Sequence, residues 1–314
     1  MKTLSKKIKQ WSAAASIALL ASTAALPVQS APSLYSFREV ANPMDAMFTQ
    51  LLGVNNNGVI AGYYGDGTTV ANHGFTLITP NHFFNENVPN AVQTQVIGIN
   101  NAGKTGGFFV DQNQVTHGFV KTPNGPFATL DAPNTKFNQI LGVNDVGESA
   151  GYSSTDPAGE TLQRAFIHSA ANGFTYVQLN VSGIGNSQAT GINDAHIVCG
   201  FYEDAGGNTV GFLWDKKNNW HKTLNFPGAN FTQALGLNNA GQVVGVYSTD
   251  GGATTHGFVY SKQSQYISID EPNSMNLSAT LVNGINDRGQ LVGFYMDAAN
   301  DTVGFVATPK TPLW

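Results

Sequence analysis

One phrase of six residues, Gly-(Val/Ile/Leu)-Asn-(Asn/Asp)-x-Gly, constrains the fold of this 314-residue chain more than any other feature. It runs from Gly53 to Gly58, Gly98 to Gly103, Gly142 to Gly147, Gly236 to Gly241 and Gly284 to Gly289, with a variant at Gly191-Ile192-Asn193-Asp194-Ala195-His196. The opening glycines lie 45, 44, 49, 45 and 48 residues apart. A period of this length marks a supersecondary unit that stacks on copies of itself.

The same order holds within each copy. A short apolar run such as Gln233–Leu237 leads into the phrase, followed by Val243–Tyr247, a polar loop and Gly257–Tyr260. A fourth run, Tyr266–Asp270, is broken by Pro272. Short runs rich in Val, Ile, Tyr and Phe between Gly/Asn/Asp clusters read as strands joined by tight turns. The last turn position needs positive φ, where glycine costs nothing. Histidine tolerates that region better than most residues, so His196 reads as a strained turn and not as a ligand.

A sheet of four such strands is marginal alone in water. Copies packed face to face bury those surfaces, and radial closure removes the exposed ends. The expectation is an all-β fold, a six-bladed β-propeller of four-stranded antiparallel blades, with repeats starting near residues 49, 94, 138, 187, 232 and 280. The last copy ends after its third strand near Thr308, while an unpartnered strand, Tyr35–Val40, precedes the first. The N-terminal strand is therefore expected to complete the last blade, making residues 31–314 a single domain.

The third strands open with Asn72-His73-Gly74-Phe75, Thr116-His117-Gly118-Phe119 and Thr255-His256-Gly257-Phe258. With the recurrent phrase, these resemble the extracellular HAF-repeat proteins of bacteria, named for a His-Ala-Phe triplet. The likeness covers nearly all of the chain after its leader and implies export and repetition, but no activity. Arg164-Ala165-Phe166 keeps the alanine without the histidine, and Val210 and Val303 replace the histidine elsewhere.

The first thirty residues have the layout of a secretory signal: Lys2, Lys6, Lys7 and Lys9, then an apolar stretch from Ala13 to Leu26 that is short for a membrane span. Cleavage is expected near Ser30/Ala31, giving a secreted or periplasmic protein. Losing four lysines moves the formal net charge from −5 to −5 − 4 = −9. An acidic chain with scattered basic residues argues against nucleic acid as a partner, and no later segment is apolar enough to span a membrane. A single cysteine, Cys199, leaves no internal disulfide framework. A monomer is expected.

The loops between second and third strands carry an acid in every copy: Asp66, Asp111, Asp156, Asp204, Asp250 and Asp297. Aromatics precede them, Tyr64, Tyr202, Tyr247 and Tyr295 among them, with Phe109 and Tyr152 in the other copies. Gln50, Gln95, Gln139, Gln188 and Gln233 open the first strands near the same rim. A ring to stack on a sugar face, with a carboxylate and a carboxamide to bond hydroxyls, suits a glycan or a cell-surface protein. The plainer reading gives the aspartates to turn initiation and the aromatics to packing. Calcium needs six to eight oxygens from a compact loop, and these loops offer one or two acids each; no cofactor and no metal ligand set is assigned.

His73, His117 and His256 sit in equivalent places on different copies, where a structural role, such as bonding to a neighbouring blade's backbone, is expected. Gly147-Glu148-Ser149-Ala150-Gly151 matches a nucleophile pattern, but Ser149 falls within a strand and not at the strand-to-helix elbow which that motif needs. No catalytic residue is assigned. Three readings follow: a non-enzymatic binding module using the repeated rim, a propeller hydrolase or lyase acting on an extracellular polymer, or a structural matrix protein. The hydrolase reading points to the divergent fourth copy, with Glu203, Asp204, His196 and Cys199.

Overall fold

The structure is a computed structural model and describes residues 34–218, 220–275 and 279–311. The expected leader, residues 1–30, and its expected cleavage site lie outside the described residues. The fold is all-β, with no helix among the named elements. The N-terminal strand is β1 (Tyr35–Val40), and the first repeat supplies β2 (Thr49–Val54), β3 (Val59–Tyr64), β4 (His73–Ile78) and β5 (His82–Asn85). The second supplies β6 (Gln93–Ile99), β7 (Thr105–Val110), β8 (Thr116–Lys121) and β9 (Phe127–Thr129). The third gives β10 (Phe137–Val143), β11 (Ser149–Ser154), β12 (Arg164–Ser169) and β13 (Gly173–Tyr176). The fourth gives β14 (Ser187–Ile192), β15 (Ile197–Glu203), β16 (Thr209–Asp215) and β17 (Trp220–Leu224). The fifth gives β18 (Phe231–Leu237), β19 (Val243–Ser248), β20 (His256–Ser261) and β21 (Gln265–Ile269), and the sixth β22 (Thr280–Ile285), β23 (Leu291–Met296) and β24 (Thr302–Pro309).

These strands form two four-stranded and two eight-stranded sheets. Each eight-stranded sheet is two antiparallel units joined by one parallel pair, Thr116 beside Phe137 in the first and Thr209 beside Phe231 in the second. The strand β1 pairs antiparallel with β24, from Tyr35 opposite Pro309 to Val40 opposite Gly304, as its unpartnered position in the sequence predicts.

Much of the core lies between units. Ala61 of the first repeat packs with Val96 and Phe119 of the second, and Cys199 and Leu213 of the fourth with Ala234 and Val243 of the fifth. Val292 and Val306 of the last repeat share a cluster with Leu51, Ile60 and Phe75 of the first. Each sheet thus buries its faces against the next, the driving force that an isolated unit lacks.

Four of the six positions of the recurrent phrase have a defined part in this packing. Its last position takes positive φ in all six copies, from 64° at His196 to 92° at Gly147. Its first glycines lie against one another: a Cβ on Gly142 would stand 2.9 Å from the Cα of Gly191, and one on Gly284 3.2 Å from that of Gly53. The first asparagine donates from Nδ2 to the carbonyl of its counterpart in the next repeat, Asn55 to Asn100, Asn100 to Asn144, Asn144 to Asn193, Asn193 to Asn238 and Asn238 to Asn286. Asn286 then donates to Asn55 at 3.0 Å, and the cycle closes. The following Asn or Asp makes a second cycle, its Oδ1 accepting the counterpart amide of the preceding repeat, from Asn56 N to Asn101 and back from Asp287 N to Asn56.

Candidate functional site

The first strands carry the same irregularity. Each shifts register just before its phrase glycine, leaving one extra residue: Leu52, Ile97, Leu141, Thr190, Leu235 or Asn283. A bulge re-aims side chains locally, and all six of these line one axial cavity of about 120 Å³. Gln95, Gln139, Gln188 and Gln233 stand on its wall, and Val54, Ile99, Val143, Ile192, Leu237 and Ile285 form an aliphatic ring. That ring also bounds a second cavity, lined by the two Asn/Asp cycles. The walls of the first cavity carry no titratable side chain.

The glutamines divide into two sorts. Gln95 donates to Asn72 Oδ1 at 2.8 Å, and Gln188 to Gln163 Oε1 at 2.9 Å, each tying a first strand to the preceding repeat's second-to-third loop. Asn72 and Gln163 in turn hold the carbonyls of Gly65 and Gly159. Gln50 is buried outside this lining. No described residue bonds the carboxamides of Gln139 or Gln233. Asn283 is 5% exposed, and its Oδ1 is buried without a partner. Sequence reasoning passed over Asn283, although aligning the copies sets it where four others have Leu or Ile.

The six loop aspartates do not reach this cavity. Each turns its carboxylate into its own loop: Asp66 Oδ1 accepts the amides of Thr68, Thr69 and Val70. Asp111 accepts from Asn113 and Val115, Asp156 from Ala158, Glu160 and Thr161, and Asp204 from Gly206 and Asn208. Asp250 accepts from Thr254 and Ser248, and Asp297 from Ala299 and Asp301. Desolvation raises the carboxyl pKa of Asp66, but the donors from Thr68, Val70 and Thr69 outweigh it and bring the value to about 2.

The aromatics are placed inside. Tyr202, Tyr247 and Tyr295 are 5%, 0% and 2% exposed, so these rings offer no face for a sugar; Tyr64 stays partly exposed. The physical reason is that second strands lie between two sheets, so both their faces are covered. Tyr64, Phe109 and Tyr247 stack on His73, His117 and His256.

Those histidines pair within their own repeats, and not with a neighbouring backbone as expected. His117 Nδ1 bonds Asp131 Oδ2 at 2.6 Å, His256 Nδ1 bonds Asp270 at 3.0 Å, and Asn87 Nδ2 donates to His73 Nδ1. The residues of the hydrolase reading do not converge: His196 precedes β15 and pairs with Glu148, while Glu203 ends that strand, roughly 20 Å away at strand rise. Cys199 is fully buried, and desolvation pushes its thiol up to about 12. Ser149 is a buried strand residue. One acidic group was not foreseen: Glu39 of β1 accepts from Tyr295 Oη at 2.7 Å and from Asn273, beside buried Glu271, whose carboxyl desolvation raises. Among the described residues, no group of three or more His, Cys, Asp or Glu is placed to hold a metal ion, and no helix is long and apolar enough to cross a membrane.

No family model matches the chain, and no curated protein matches it. Solved structures do. A variant of Aleuria aurantia lectin in complex with Fucα1-6GlcNAc aligns at 10% identity with a TM-score of 0.50, over 85% of this chain and 98% of that one. SapL1 lectin in complex with α-methyl fucoside aligns at 12% identity and 0.52, over 85% and 98%. A putative gluconolactonase aligns at 11% identity and 0.52, over 89% and 93%. At such identities the likeness defines the fold alone, an all-β propeller. That fold houses both binding proteins and enzymes, so function must be argued from the site.

Proposed function

We propose that the chain is exported by its leader, folds as a six-bladed propeller locked by β1, and binds a neutral carbohydrate without transforming it. The observation that carries this is the axial cavity, walled by carboxamides and aliphatic side chains and by no titratable group. A neutral sugar presents C–H faces that pack on aliphatic walls and hydroxyls that pair with carboxamides, which donate and accept at once. Glycoside cleavage by acid–base chemistry instead calls for two carboxyl groups at the bond. The fucose-holding lectins of the same fold support the reading from outside the chain.

The test is a screen of the protein, expressed without residues 1–30, against neutral oligosaccharides and polysaccharides. Binding is followed by thermal shift and array, and the glycans are analysed afterwards by chromatography. The expected result is saturable binding with the glycan recovered intact. Absence of binding across the panel, or release of shorter products, would overturn the proposal.

A further inference from the structure

The axial cavity is specific in a way the repeats do not require. At the bulge position four copies carry Leu or Ile, the fourth carries Thr190 and the sixth Asn283. The Thr190 hydroxyl is satisfied, donating to the Ala234 carbonyl at 2.7 Å. Asn283 is not, because its Oδ1 is buried in the cavity wall with no partner. A buried polar atom left without a bond is rare in folded proteins, and one on a cavity wall is placed to take a donor from whatever enters. Two more carboxamides on the same wall, Gln139 and Gln233, are also unbonded among the described residues. Three unspent carboxamides, on the third, fifth and sixth repeats, thus face one space.

The size of that space limits what enters. About 120 Å³ is less than the roughly 150 Å³ that holds benzene, and a pyranose is larger than benzene, so the cavity seats only part of one ring and never two. The ring of Val54, Ile99, Val143, Ile192, Leu237 and Ile285 lies between it and the second cavity. We infer that the cavity seats one edge of the terminal ring of a neutral glycan end-on, one per molecule, with Asn283, Gln139 and Gln233 bonding its hydroxyls. This rests on the carbohydrate reading above and replaces six equivalent rim sites with one axial site.

Two variants test it. Asn283→Leu restores the residue type the other copies use and leaves the fold intact; Gln139→Ala changes a partly exposed side chain. The probes are methyl pyranosides of fucose, galactose, glucose and mannose, titrated by calorimetry and used as competitors of glycans captured in the screen. The expected result is one site per chain for at least one pyranoside, competition with the glycan, and binding at least tenfold weaker in both variants, with Asn283→Leu melting higher than the parent. About six sites per chain, unchanged affinity in the variants, loss of binding on Asp250→Ala instead, or glycan binding that no pyranoside displaces would overturn the axial site and leave carbohydrate binding standing. If no glycan binds at all, both fall.

Discussion

Asn283 shows how a single residue can be dissected into its cost and its use. An unpaired buried carbonyl costs about 1–3 kcal/mol relative to a satisfied one. Asn283→Leu should therefore raise stability by roughly that amount, measured as a higher midpoint in urea with an unchanged denaturant slope. A fall in midpoint would mean that the oxygen is satisfied after all. The loop aspartates work the other way. The folded state holds the Asp66 carboxyl at about 2, below the ordinary aspartate value near 4. Ionised Asp66 thus contributes stability that is complete above pH about 4 and fades as pH falls towards 2. Asp66→Asn should lower the melting temperature at pH 6 and narrow that difference by pH 2.5; equal loss at both pH values would show that the charge is irrelevant.

At the scale of elements, β1 completes the sheet of the last repeat. Tyr35 and Val40 are buried, Phe37 packs against the Phe305 ring at 5.5 Å, and Glu39 reaches across to Asn273 and Tyr295. Without it, β24 becomes an open edge, a template for pairing with other chains. A protein lacking residues 1–40 should melt at least 10 °C lower and aggregate, and a peptide spanning residues 34–41 should restore solubility when added. Unaltered melting would mean that the strand pairs without holding the ring. The bulged first strands show the opposite economy: one extra residue per strand costs a ladder bond and turns six side chains onto the axis.

Across the whole molecule, stability is a property of the closed ring. The phrase glycines touch backbone to backbone, and a Cβ on Gly53 would meet the Ile97 carbonyl oxygen at 2.6 Å. Gly53→Ala should cost about 1–3 kcal/mol, the range for overpacking a close contact, and should lower the whole unfolding transition without splitting it. Two resolved transitions would show that the repeats melt separately.

The repeat unit was legible because its signals are local. Turn positions with positive φ call for glycine, short runs rich in Val, Ile, Tyr and Phe call for strands, and an orphan strand at Tyr35–Val40 calls for a partner. The rim was legible only in part. Aspartates such as Asp156 and Asp250 look the same in sequence whether they face a ligand or cap a loop, and the tyrosines' burial depends on a neighbouring sheet the local sequence does not describe. By itself, then, the sequence determined the units, their turns and the strand that closes them, through backbone preferences acting within a few residues. Only the tertiary structure decided which carboxamides are spent on neighbouring loops and which stay free, because the closing of the ring sets which side chains meet at the axis.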